Sequence, residues 1–303
     1  MPLGEPAATW RAASTVERGC YVLAGVLTVS GVVHAAILVA TGGSWAGPLS
    51  FRKPASFGVS FGLTLATVTW VLGLLPRRPV PGLLVPFAAA CTAEVVVITV
   101  QAWRGLTSHF GVTGPGKGVV AGAAAGGAVV IVVTMTVATV LVWRPLLDVA
   151  PEMRLALRAG FASLLVALAL GVYMLVRGVV ISRGDPSGAA AFAFSAGVKP
   201  GHAATMHGIL VLPLLARLLA GTDRSERFRL AVVRLAAAGY GLLAGVVVVE
   251  VLAGIDPLAG TSVAGTLLAA LGAAALIAAV GVTIVSVAVG PGAVGSPRRA
   301  RRS

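Results

Sequence analysis

The sequence has few charged residues and very few acidic ones. Of 303 residues, 11% are charged and only 10 are Asp or Glu, whereas 57% are hydrophobic and the mean hydropathy is +0.97. A soluble core does not need so much apolar surface, but a helical bundle embedded in a bilayer does. The composition therefore excludes an ordinary soluble domain.

Cysteine is almost absent. Cys20 and Cys91 both lie within or beside apolar runs, so we expect neither a disulfide framework nor a metal-thiolate site. The first apolar run follows a polar segment and has no clean small-residue cleavage site. We therefore expect a retained membrane span there and not a signal peptide.

The shortage of acidic residues leaves a formal net charge of +13. Such a charge can indicate nucleic-acid binding when the basic residues form one contiguous domain. Here Lys and Arg are distributed between the apolar runs, which is the pattern of membrane topology. We therefore expect the lipid bilayer, and no nucleic acid, as a partner.

Eight apolar runs are long enough to cross a bilayer as helices, which takes about 20 residues each. Gly, Pro and Asp-Pro turn signals separate them, and small residues such as Gly58 and Gly62 suit close helix packing. The sequence predicts an all-α membrane protein with eight transmembrane helices, at Cys20–Thr41, Phe57–Leu75, Gly82–Trp103, Gly118–Trp143, Ala159–Ile181, His202–Gly221, Leu230–Leu252 and Thr261–Val289.

The basic residues predict the orientation. If both termini lie on one side, that side carries 16 of the 23 Lys and Arg residues, which the positive-inside rule assigns to the cytoplasm. We therefore predict a multi-pass protein of the bacterial plasma membrane with both termini cytoplasmic. We call the opposite end of the bundle the predicted outer end; its seven basic residues are Arg52, Lys53, Arg104, Lys117, Arg177, Arg183 and Lys199.

Two stretches indicate an internal repeat. Lys53-Pro54 and Gly62 recur at the same spacing as Lys199-Pro200 and Gly208, and we expect each Lys-Pro pair to begin an inward-running helix with Pro in its first turn. The predicted organisation is two tandem four-helix units, residues 1–149 and 150–290, with a pseudo-twofold axis along the membrane normal. The basic tail, 291–303, is expected to touch anionic lipid.

Polar residues of the predicted spans gather near the predicted outer end, where all four histidines are expected. Ionisable groups are costly inside a membrane, so by default they mark a functional site that faces the bundle interior. We expect these side chains to converge in one shallow chamber. The candidate ligands are His34, His109, His202 and His207, and the other candidate polar residues are Lys53, Glu94, Gln101, Arg104, Arg177, Lys199 and Glu250.

Three functions remain open at this point. Imidazoles from two helices can hold haem b, and imidazole also suits copper or zinc, so a redox or haem-binding site is the first hypothesis. The second is a small-solute or proton-coupled transporter, in which Glu94, Gln101 and Glu250 line the path and Lys53, Arg104 and Lys199 attract anions. The third is a structural or sensing protein whose histidines titrate with the outside pH. Short loops leave little room for a soluble catalytic domain.

Three motifs resemble those of a widespread bacterial family of multi-spanning membrane proteins. They are the Lys-Pro stretch RKPASFGVSF, the loop QAWRGLTSHF and the double-histidine helix KPGHAATMHGILVLPLL. The resemblance covers most of the chain, although Gly111 stands where members often carry Asn. It implies a set of positions and assigns no reaction to them.

Overall fold

The computed structural model describes residues 10–45, 50–74, 80–106, 117–144, 149–185, 188–259 and 262–289. The regular elements in these ranges are α-helices. Their bounds are α1 Thr15–Ala40, α2 Arg52–Leu72, α3 Val80–Trp103, α4 Lys117–Trp143, α5 Pro151–Gly184, α6 Ala189–Met206, α7 Gly208–Ala220, α8 Glu226–Leu252 and α9 Val263–Ala288.

Eight spans in the described residues are long and apolar enough to cross a membrane. Seven are single helices, and the sixth, Ala189–Ala220, consists of α6 and α7 in series. Large apolar side chains such as Val39 and Ile277 are 81% and 70% exposed, as expected of surfaces that face lipid. The prediction of an all-α, eight-span membrane protein is confirmed.

Three helices begin at serines whose side chains accept hydrogen bonds from the first free backbone N–H groups. Ser14 caps α1 in a capping box with Glu17, while Ser225 and Ser262 cap α8 and α9. Helix α5 begins at Pro151, eight residues before the predicted start. Its 34 residues span about 50 Å, so its ends extend beyond a hydrocarbon layer of about 30 Å.

The charged start of α5 is tied to α8. The Arg229 Nε donates to Glu152 Oε1 at 2.7 Å, and Glu152 is only 1% exposed. The same guanidinium donates through Nη1 to the carbonyl of Arg224. This pairing compensates the charge of a buried carboxylate, and it explains how the helix accommodates an acidic residue in its first turn.

The predicted start of the sixth helix is wrong. Helix α6 begins at Ala189, ten residues before Lys199, so Pro200 lies inside the helix and not in its first turn. The interruption comes later, at His207, between α6 and α7. Pro54, in contrast, lies in the first turn of α2 as predicted.

Side chains from neighbouring helices explain the interruption. Ser163 Oγ donates to the carbonyl of Thr205 at 2.6 Å, and the Tyr240 hydroxyl donates to the carbonyl of Ala204. In an unbroken helix these carbonyls would accept from the backbone four residues on, at Gly208 and Ile209. The polar groups freed by the break are thus partly satisfied by α5 and α8, as a membrane interior requires.

Helix contacts fall into two groups of similar pattern. Helix α1 packs on α2 and α3, α2 on α3, and α3 on α4; likewise α5 packs on the α6–α7 span and on α8, that span on α8, and α8 on α9. The two groups meet where α4 contacts α5 and where α2 contacts α7. The second and sixth spans therefore touch over a short stretch.

The predicted small-residue packing face is confirmed for Gly58 and Gly62. A Cβ at Gly58 would lie 2.7 Å from the backbone of Gly31, and one at Gly62 would lie 2.1 Å from Thr28 Oγ1. Helices α1 and α2 are in direct backbone contact here, which larger residues would prevent.

We predict that Gly31→Ala destabilises the protein. Its Cβ would lie 2.5 Å from the backbone nitrogen of Val59, and such overpacking costs about 1–3 kcal/mol. The thermal unfolding midpoint in detergent should fall. Gly25→Ala is the matched control on the same helix, because a Cβ there meets nothing within 4 Å. Equal effects of the two substitutions would contradict this packing.

Candidate functional site

His34 lies in an aromatic cluster at the predicted outer end of α1. It is 7% exposed, its Nδ1 lies 2.7 Å from the carbonyl of Ser30, and its Nε2 accepts from Trp103 Nε1 at 3.0 Å. Phe51 completes the cluster, with its ring centre 6.0 Å from that of His34 and 5.0 Å from that of Trp103. Both ring nitrogens of His34 are therefore occupied, and a cofactor could bind only if Trp103 moved away.

Gln101 and Arg104 lie beside this cluster on α3. Gln101 is 2% exposed, and its Oε1 accepts from Arg104 Nη1 at 3.3 Å. The exposed Arg104 thus satisfies a buried amide. His109, the fourth predicted ligand, lies outside the described residues.

Lys53 and Lys199 come together on a shared aromatic ring. Their Nζ atoms lie 5.8 Å and 5.1 Å from the ring centre of Phe192, so the two ammonium groups are within about 11 Å of each other. The positive charge of Arg52 lies near both ammonium groups. Lys199 makes no ion pair with any described residue. The structure thus concentrates positive charge from α2 and α6 at one place.

The depth of the two lysines differs along their helices. Lys53 is the second residue of α2, whereas Lys199 is ten residues from the start of α6. Side chains of a helix point toward its N-terminus, so Lys199 extends along α6 toward Phe192, two turns earlier. Its charge therefore reaches toward the predicted outer end while its methylene chain remains among apolar groups.

His202 and His207 occupy different environments. His202 Nδ1 lies 2.7 Å from the carbonyl of Ala167 on α5, and its ring stands against Gly171. The exposed His207 instead bonds through Nδ1 to the carbonyl of Ala203 in its own helix, at 2.6 Å. The Nε2 atom of each histidine makes no hydrogen bond with the described residues.

Two of the buried glutamates, Glu94 and Glu250, each lie against a glycine of the following span. A Cβ at Gly127 would be 2.9 Å from Glu94 Oε1, and one at Gly265 would be 2.7 Å from Glu250 Oε1. Within the described residues, Glu250 Oε1 is buried without a hydrogen-bond partner. A buried polar atom of this kind is costly, so Glu250 is an unusual residue for a purely structural position.

Arg177 lies apart from the lysines. Its guanidinium is 5.9 Å from the ring centre of Phe194, which also contacts Tyr173. Phe192 and Phe194 are two residues apart on α6 and so face nearly opposite directions. No ion pair joins Arg177 to Glu94 in the described residues.

No family model, curated protein or solved structure matches this chain. The family resemblance drawn from the three motifs therefore stays a prediction.

The predicted polar residues form several separate contacts in the described part of the chain. No hydrogen bond, ion pair or ring contact there joins His34 to His202 or His207. No group of three or more His, Cys, Asp and Glu side chains in the same residues could share a metal ion. What the fold does bring together is the lysine pair.

Sequence reasoning missed the aromatic partners. The ammonium groups of Lys53 and Lys199 both lie near the Phe192 ring. Phe51 and Trp103 contact His34. Phe51 directly precedes Arg52, and Trp103 directly precedes Arg104. An aromatic residue next to a cation at the end of a span was the sequence signal that could have indicated these partners. Phe192 gave no signal, because the predicted sixth span began after it.

Proposed function

We propose that the protein is a plasma-membrane transporter for a small anionic solute, which it binds between Lys53 and Lys199 near its outer face. The observation that carries the proposal is the approach of both ammonium groups to Phe192. Like charges repel, and an anion between them would relieve the repulsion. Lysine is suited to this role as a compact cation with rotatable donors.

We further propose that the site lies on the pseudo-twofold axis of two tandem four-span units. Ser60 Oγ donates to Met206 Sδ at 3.9 Å, and these residues are 146 positions apart. Lys53 and Lys199 have the same separation. Residues on a twofold axis meet their own equivalents, so two such pairs on neighbouring spans support an axis between α2 and the sixth span.

The ends of the third and seventh spans add a second parallel. Gly105 and Gly254 have φ angles of 63° and 74°. The following N–H groups, of Leu106 and Ile255, bond to the carbonyls of Gln101 and Glu250 at 2.9 Å in both cases. These are the same left-handed glycine caps, and Gln101 and Glu250 occupy the same position in them.

The interrupted sixth span favours transport over passive binding. The break at His207 lies 18 residues from the start of the span and 13 from its end, which is near mid-membrane depth. Discontinuous helices at this depth are typical of the solute sites of secondary transporters. The second span, α2, is unbroken, so the two units differ here.

We predict that Lys199→Gln weakens anion binding and uptake at least tenfold. Purified protein would be tested with chloride, phosphate, acetate and succinate, first by thermal shift at constant ionic strength and then by uptake into proteoliposomes. Arg183→Gln is the charge-matched control, because Arg183 is exposed at the same predicted end and makes no hydrogen bond or ion pair with the described residues. Absence of uptake across the panel, or equal losses in both variants, would contradict the proposal.

A second candidate function is haem binding, with haem b as the cofactor. It is supported by the bond from His202 Nδ1 to the Ala167 carbonyl, because ligating histidines are oriented in this way and bind through the other nitrogen.

For this candidate, the absorption spectrum and metal content of the purified protein are the measurement. A Soret band that disappears in His202→Ala but persists in His34→Ala is expected, since both nitrogens of His34 are occupied. A colourless, metal-free protein would rule this function out.

A further inference from the structure

A groove between α5 and α8 opens at the predicted inner end of the bundle, opposite the lysine pair. Its volume is about 390 Å³, and its lining residues are Pro151, Arg154, Leu155, Arg158, Leu230 and Arg234. Three of these six residues are arginines, and the other three are apolar. The combination suits a ligand that has an anionic head and a hydrocarbon part.

Arg234 gives the groove a positive charge that no described residue cancels. Among the described residues, no acidic side chain lines the groove, and the nearby carboxylate of Glu152 is engaged by Arg229. Arg234 is exposed and makes no hydrogen bond or ion pair with the described residues. The N-termini of α5 and α8 lie at this same end, and their dipoles add to the positive potential.

The depth of the groove matches the lipid headgroups. Arg158 lies 5.5 Å from the ring centre of Trp143, which is 57% exposed at the end of α4. Exposed tryptophans at span ends lie at the membrane–water interface. Arg154 and Arg158 are within two turns of the start of α5, which is long enough to extend past the hydrocarbon.

We propose that this groove binds the phosphate of an anionic phospholipid, whose acyl chains lie along the apolar surfaces of α5 and α8. Guanidinium groups pair with phosphate oxygens through two parallel hydrogen bonds. Basic pockets between spans on the cytoplasmic side are known to hold such headgroups. A free phosphate would use the arginines but not Leu155, Leu230 and Pro151.

The experiment uses the full chain in nanodiscs or mixed micelles with phosphatidylglycerol or phosphatidylcholine. Lipid retained by the protein is measured by native mass spectrometry. We expect wild type to retain phosphatidylglycerol in preference, and Arg234→Gln to weaken this preference about fivefold. Arg154→Gln combined with Arg234→Gln should weaken it further. Arg158→Gln is a less specific test, because Arg158 also donates to the carbonyls of Val142 and Trp143 and its loss would remove those hydrogen bonds as well.

Arg217→Gln is the charge-matched control, since Arg217 lies at the same predicted end on α7 and does not line the groove. It should keep the preference. The proposal is overturned if wild type shows no preference for the anionic lipid, or if Arg217→Gln loses as much as Arg234→Gln. It is also overturned if inorganic phosphate alone, added in detergent without lipid, stabilises the protein as well as phosphatidylglycerol does.

Discussion

A bilayer offers the backbone no hydrogen-bond partner, and this constraint shapes the part of the fold that the structure describes. Eight spans satisfy it as helices. Among the described residues, the helix interruption at depth is at His207, where Ser163 and Tyr240 donate to the carbonyls of Thr205 and Ala204. Polar side chains from two other helices thus stabilise a break that lipid could not tolerate. The break is built into the packing of α5, α6 and α8.

The same constraint governs where charge is placed. Glu152 is buried but paired with Arg229, and Lys199 reaches along α6 to an aromatic ring. Arg158 lies over Trp143 at the other end. Cations on aromatic faces are a recurring arrangement in this chain, and they allow positive charge to remain partly desolvated without an acidic partner. With only 10 acidic residues available, the protein depends on such contacts.

The spans could be predicted from the sequence, because a run of about twenty apolar residues between turn signals is typical of a transmembrane helix. It placed the bounds of α3 and α4 within two residues of the structure, and it predicted the packing face of Gly58 and Gly62. It failed at the start of the fifth and sixth spans. Glu152 was placed outside the fifth span, because its partner Arg229 is 77 residues away in the sequence. Pro200 was expected to start the sixth helix, but it lies inside α6.

The candidate site was harder to predict, because contacts between spans depend on helix rotation, which periodicity in uniformly apolar helices does not define. Nothing in the residues around His34 predicted that Trp103 would bond to it from 69 positions away. Lys53 and Lys199 were matched by their Pro and Gly neighbours, but their meeting at Phe192 required the fold. Residue spacing can indicate equivalent positions; it does not reveal which of them touch.

The proposed solute site requires that the second and sixth spans touch each other. Ser60→Cys combined with Met206→Cys tests this directly, in a background where the buried Cys20 and Cys91 are replaced by Ser. A short thiol cross-linker applied to membranes should join the pair within one chain, since Ser60 Oγ and Met206 Sδ are 3.9 Å apart. Ser60→Cys with Thr136→Cys, on the outward face of α4, should not react. Cross-linking of the control pair alone, or of neither pair, would contradict the contact between the two spans.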